Sequence, residues 1–278
     1  MRSQFHLDKH PPEHAGYFAV SGAHLYTVLH EVENPVARVL LVGPFASERQ
    51  NSYLPWVRWA RYLAARNIEV LRYDYRGIGE STGVFDEMTF DDWSEDVRLL
   101  SGWLRDRSPE APLLLHGLEL GAILAGRAFH DGVGDALLLW SPPANANQAL
   151  RSMLIRWIGL QQIFKSPGER RPASSHIREL EQGASLEVDG YQWSPCLWRD
   201  SFAFILPPAL ANEESAAMAY QKPVRIAKLL KDAAPLAQRG SPGYDEVKDF
   251  SWLFAPNLDW IVAATSTTNK GVTHAEGH

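Results

Sequence analysis

The chain has 278 residues, 45% of them hydrophobic and 22% charged, with a formal net charge of −6. That length suits one large α/β domain or a domain with a sizeable insertion. The mild acidity argues against a nucleic-acid interface, which wants a basic patch. No run of about 18 apolar residues marks a membrane span, and Met1 to Asp8 lack the apolar core of a signal peptide. The single cysteine, Cys196, excludes an intramolecular disulfide framework. A cytoplasmic protein is the expectation. The ten tryptophans, Trp56, Trp59 and Trp140 among them, are read as core packing.

In chain order, residues 15–32 alternate as one or two leading strands about a turn at Ser21-Gly22-Ala23. Ala37 to Val42 reads as a buried strand closed by Gly43-Pro44-Phe45. Apolar residues at helical spacing predict a helix from Tyr53 to Arg66. A strand at Ile68–Asp74 then leads into Tyr75-Arg76-Gly77-Ile78-Gly79-Glu80-Ser81. Asp91 to Asp106 is an amphipathic helix with Trp93, Val97, Leu100, Trp103 and Leu104 on one face. Next come an apolar run from Leu113, a helix beyond Gly121, and a strand from Ala136 to Trp140 capped by Ser141-Pro142-Pro143.

Alternating strands and helices imply a mostly parallel central sheet with helices on both faces. The alternation covers residues 1–143 and then breaks. Residues 144–220 carry scattered helical patterns, a Pro/Ser segment and a strand candidate at Ser185–Tyr191. They are expected to form an irregular lid insertion. The core resumes over 221–264, where Val224 to Leu230 is either a strand or a helix. Phe250 to Phe254 reads as a last strand and Trp260 to Ala264 as the opening of a terminal helix. Residues 265–278 read as a loose tail.

The most informative stretch is Leu113 to Gly126. It ends its apolar run in Gly117-Leu118-Glu119-Leu120-Gly121 and continues at helical spacing. A strand entering a helix through Gly-x-Ser-x-Gly forms a nucleophile elbow, whose glycines allow strand and helix backbones to approach closely. Gly117 and Gly121 keep that spacing, while Glu119 stands where the serine would be.

Two motifs resemble the α/β-hydrolase superfamily: Asp74-x-Arg76-Gly77-x-Gly79-x-Ser81 after a strand, and the glycine-flanked turn at 117–121. A narrower set consists of Pro44 to Asn51, Asp91-Asp92-Trp93, the serine-free elbow, Leu186 to Tyr191 and Ser194-Pro195. Together these resemble the hydrolase-like proteins encoded beside exosortase and exopolysaccharide genes in bacteria. The resemblance implies an α/β-hydrolase fold, oxyanion donors at the backbone amides of Leu120 and Phe45, and a base histidine after the last strand. The matching stretch, Ala255 to Trp260, holds Asp259 where the base would be. His274 and His278 in the tail are the remaining candidates for a base.

Glu119 could act as a carboxylate nucleophile or share a proton with Asp259 as an acid/base pair. Glutamate is a methylene longer than the aspartate some members of this fold use, and ester hydrolysis still wants a base. Ser81 reads as a turn cap, Ser141 as a pocket residue on the same sheet edge as Glu119, and Cys196 as a packed thiol. Glu48, Arg49 and Asn51, on the loop after the first parallel strand, are pocket candidates because such loops line the crevice of open α/β sheets. No Walker loop, dinucleotide fingerprint or His/Cys metal spacing is present, so no cofactor and no metal are expected. Two functions follow. One is a catalytically altered or inactive accessory protein of exopolysaccharide biosynthesis or export, binding a small-molecule or glycan-linked acyl ligand and proteins of that system. The other is an active hydrolase of an ester, amide or glycan-linked acyl group.

Overall fold

The computed structural model describes residues 11–163, 166–229 and 251–272. A seven-stranded sheet forms from β1 (Glu13–Val20), β2 (Ala23–His30), β3 (Ala37–Val42), β4 (Ile68–Tyr73), β5 (Leu113–Leu118), β6 (Ala136–Trp140) and β9 (Val224–Ala227), in the order β1-β2-β4-β3-β5-β6-β9. β2 pairs antiparallel with β1 and β4, and every other pairing is parallel. Parallel strands need crossover connections, and these place helices on the two sheet faces.

Those helices are α1 (Ser47–Ala64), α2 (Phe90–Arg107), α3 (Leu120–His130) and α8 (Phe254–Val272). Every residue of β3 is buried, because alternate side chains serve different cores. Leu40 and Val42 join Trp93, Leu100, Leu124 and Phe129 of α2 and α3. Val39 and Leu41 join Trp56, Trp59 and Leu63 of α1 and Ile261 of α8. Trp56, Trp59 and Trp140 pack as core residues, as composition suggested.

Residues 144–220 form α4 (Ala146–Ile163), α5 (Ala173–Glu181), the hairpin β7–β8 (Leu186–Val188 and Tyr191–Trp193), α6 (Pro195–Asp200) and α7 (Glu213–Ala219). Asp189 and Gly190 turn the hairpin with φ of 50° and 82°. Positive φ at both positions is what a two-residue loop requires, and Asp-Gly supplies it. Leu150, Leu154, Trp193 and Trp198 of this insertion share the core of α2 and α3.

Three boundaries depart from the sequence reading. Helix α1 begins at Ser47, six residues before Tyr53, so Glu48, Arg49 and Asn51 occupy helical turns rather than a loop. The expected start rested on apolar spacing, and residues 47–52, Ser-Glu-Arg-Gln-Asn-Ser, contain no apolar residue to carry that pattern. The expected last strand at 250–254 is also replaced over its described residues, 251–254. Residues 251–253 form a 3₁₀ turn and Phe254 opens α8. Phe254, Asn257, Ile261 and Ala264 are buried at helical spacing, and Phe254 packs 4.8 Å from the Trp59 ring. Finally, α8 runs on to Val272, where a loose tail was expected. His274 and His278 lie outside the described residues.

Candidate active site

The elbow is built by close backbone approach. A Cβ on Gly117 would lie 2.4 Å from the Ala122 Cα, and one on Gly121 would lie 2.2 Å from the Gly43 carbonyl oxygen. Glu119 between them takes φ 53° and ψ −120°. Such a conformation costs a non-glycine residue on the order of 1–3 kcal/mol and persists only where surrounding structure imposes it. The Glu119 amide donates to the Trp140 carbonyl at 2.9 Å, and the Ala122 amide donates to the Glu119 carbonyl at 3.0 Å. The elbow geometry is thus complete around a carboxylate.

A second turn of the same kind faces it. After β3 the chain passes Gly43-Pro44-Phe45 to Ala46, at φ 45° and ψ −124°, and enters α1. The Tyr75 hydroxyl donates to the Gly43 carbonyl at 2.7 Å. The Phe45 ring is buried against Trp93, with centroids 4.5 Å apart. Both helices therefore start from strained residues at the carboxyl edge of the sheet.

These two turns border a pocket of about 800 Å³ lined by Phe45, Glu48, Glu119, Leu120, Ser141, Pro142, Pro143, Gln148, Ala149, Ser152, Met153 and Lys228. Five residues singled out from sequence meet there: Phe45, Glu48, Glu119, Leu120 and Ser141. A cavity of about 610 Å³ lies by Asn34, Pro35 and Val36, which precede β3, and by Val262 and Thr265 of α8. Ligands of open α/β sheets bind at the carboxyl ends of the strands, so the elbow pocket is the candidate site.

The other candidates lie elsewhere. Arg49 forms a two-pronged pair with Asp74, Nε to Oδ1 at 2.9 Å and Nη2 to Oδ2 at 2.8 Å. Asp74 also accepts from the Glu80 amide, and the Ser81 hydroxyl donates to the Asp74 carbonyl at 2.6 Å. The Asp-x-Arg-Gly-x-Gly-x-Ser motif is therefore a loop lock. Its Arg76 pairs with buried Asp96 at 2.6 Å, and burial raises the Asp96 carboxyl to about 6. Asn51 lies within α1. Asp259 is exposed on α8 and is not among the residues lining the pocket. Cys196 is exposed rather than packed.

No histidine among the described residues lines the pocket. His116, three residues before Glu119, points into the core of α1 and α8, 4.6 Å from the Trp140 ring and 4.9 Å from Trp56. Its Nδ1 meets the Leu138 carbonyl at 3.0 Å. Burial lowers its pKa to about 3, so the ring is neutral.

Sequence reasoning missed the contribution of α4 and the β7–β8 turn. Arg156 of α4 pairs with Glu48, donates to Ser47 Oγ at 3.0 Å and reaches Asp189 at 3.2 Å. This cluster joins α4, the hairpin turn and the start of α1 beside the pocket. Lys228, directly after β9, was also missed, because the periodicity of 224–230 did not separate strand from helix.

No group of three or more metal-ligating side chains occurs among the described residues, and no helix there is long and apolar enough to cross a membrane.

Residues 52–175 match the family model described as serine aminopeptidase, S33. A search of curated proteins returns no match. Among solved structures, Est1E from Butyrivibrio proteoclasticus, solved with ferulic acid bound, superposes with a TM-score of 0.57 at 15% identity, covering 91% of this chain and 100% of that one. An esterase from Pyrococcus furiosus gives 0.56 at 12% identity, with 91% of each chain covered. The α/β hydrolase GrgF from Penicillium sp. sh18 gives 0.55 at 17%, covering 92% and 99%. At these identities the likeness concerns the fold alone. With the strand order, the crossover helices and the elbow, it leads to one conclusion: the chain has the α/β-hydrolase fold, with glutamate at the elbow.

Proposed function

We propose that this protein is a catalytically altered, ligand-binding member of the hydrolase fold, an accessory factor of bacterial exopolysaccharide biosynthesis or export that acts in the cytoplasm. The observation that carries the loss of serine-hydrolase chemistry is Glu119 at φ 53° and ψ −120°, in a pocket that no described histidine lines. Acyl transfer through a triad needs a nucleophile and a histidine base, and the elbow offers neither. A pocket of about 800 Å³ remains, within the range of small-molecule sites. The exopolysaccharide assignment, with proteins of that system as partners, rests on the resemblance of the Pro44–Asn51, Asp91–Trp93 and Leu186–Tyr191 segments.

One observation favours a second reading, an active hydrolase of an ester, amide or glycan-linked acyl group. Phe45 and Leu120, whose backbone amides are the expected oxyanion donors, both line the pocket. Glu119 would then act as nucleophile or base.

Turnover of short-chain p-nitrophenyl esters and anilides by the wild-type chain, Glu119→Gln and Asp259→Asn separates the two. The accessory reading predicts no turnover above background in any of them. Wild-type turnover that Glu119→Gln abolishes and Asp259→Asn leaves unchanged would establish the hydrolase reading with Glu119 as its reacting carboxylate.

A further inference from the structure

Lys228 stands at the rim of the elbow pocket on an unusually well-fixed stretch of backbone. It follows β9, whose parallel pairing with β6 sets Ala227 beside Trp140. Beyond the pairing, the Ser141 amide donates to the Ala227 carbonyl at 2.8 Å. The Leu229 amide then donates to Ser141 Oγ, also at 2.8 Å. Residue 228 is thus bracketed by two hydrogen bonds to one serine, which itself adopts φ 47°. Ser141 holds the lysine backbone in place.

The two cations at this rim differ. Arg156 is engaged by Glu48, Ser47 and Asp189. Lys228 has no hydrogen bond or ion pair among the described residues, although it lines the pocket. Around it, the Gln148 side-chain oxygen accepts from the Ala144 amide, which leaves the amide nitrogen as a donor. Ser152 donates to the Gln148 carbonyl and retains an acceptor oxygen. Phe45, Leu120 and Met153 add apolar surface.

We infer that Lys228 is the specificity-determining cation of the elbow pocket, and that the ligand is a small hydroxylated carboxylic acid. The inference rests on the pocket argued above and specifies what enters it. An ammonium is a point charge that can meet either a carboxylate or a phosphate, so the neighbouring charges decide between them. A dianion would bring two negative charges beside the carboxyl groups of Glu48 and Glu119. The hydroxyl groups of the ligand answer Gln148 and Ser152.

The test compares D-glucuronate, D-glucuronamide and glucose 6-phosphate as probes, by titration into the full chain with amide chemical shifts as readout. Glucuronate is expected to bind about tenfold more tightly than the neutral amide, the size of one charge-assisted hydrogen bond. That preference is expected to vanish in Lys228→Met, return in Lys228→Arg and weaken in Ser141→Ala. Equal binding of acid and amide, persistence of the preference in Lys228→Met, preference for the phosphate, or no binding by any probe would each overturn the inference. Circular dichroism verifies that each variant is folded. Ester turnover by the wild type alongside an intact Lys228-dependent preference would overturn only the accessory reading. Lost preference without turnover would overturn only the ligand class.

Discussion

The phenolic hydroxyl of Tyr75 donates to the carbonyl of Gly43 at 2.7 Å, tying the end of β4 to the turn that carries Phe45. That oxygen also lies where a side chain on Gly121 would have to go. One hydrogen bond thus holds the Gly43 carbonyl at the point where the Gly121 backbone passes closest. Burial raises the Tyr75 hydroxyl far above the ordinary tyrosine range, so it remains a donor across the accessible pH range.

Tyr75→Phe is expected to destabilise the fold by about 1 kcal/mol, leaving the Gly43 carbonyl without that donor. The Phe45 amide resonance should shift as its turn relaxes. Thermal unfolding and an amide spectrum measure both; an unchanged Phe45 resonance would show that the turn does not depend on Tyr75.

Gly121→Ala should be far more damaging, because its Cβ would sit 2.2 Å from the Gly43 oxygen and 2.4 Å from the Val42 oxygen. A loss of about 3 kcal/mol or more in urea unfolding is expected for so severe a clash. Gly159 is the control. It lies in α4 with nothing within 4 Å of an added Cβ, so Gly159→Ala should gain about 0.5–1 kcal/mol. Similar effects at both sites would contradict the packing account.

Arg156→Ala removes the junction between α4, the hairpin turn and Glu48. Its side chain is 27% exposed, which limits the expected loss to about 1 kcal/mol. The diagnostic result is local. Hydrogen exchange should accelerate over Leu186–Trp193 while α3 remains protected, and uniform acceleration would argue against a rim junction.

His116 makes stability sensitive to acid. Its pKa is near 3 in the folded chain and about 6.5 when unfolded. Between those values the unfolded state binds the extra proton, so stability is full above 6.5 and falls as pH drops toward 3. By pH 4.5 the loss amounts to roughly 3 kcal/mol. His116→Phe should flatten this part of the profile, as followed by urea midpoints from pH 7 to 4.5; an unaltered slope would exclude His116 as its source.

The alternating fold was legible because its signals are local. β3 and β6 match their expected bounds, and β4, β5 and α2 fall within a residue or two, since buried parallel strands read as short apolar runs. The glycine-flanked turn was equally clear, since a Cβ on Gly117 or Gly121 would run into neighbouring backbone. The start of α1 was obscured because residues 47–52 are all polar, and residues 251–254 by an apolar run short enough to suit either period. Most of the pocket's far wall was hidden for a different reason. Gln148, Ser152 and Lys228 reach it from α4 and from the end of the last described strand, and no local pattern encodes that meeting.

The most direct test of the central claim, that this elbow no longer performs serine-hydrolase chemistry, is the intact mass of the chain after incubation with a fluorophosphonate probe, followed by peptide mapping. The account predicts no adduct at any serine, because Glu119 holds the nucleophile position and no described histidine lines its pocket. A stoichiometric adduct on a single serine would reveal a working nucleophile and oxyanion hole and contradict it.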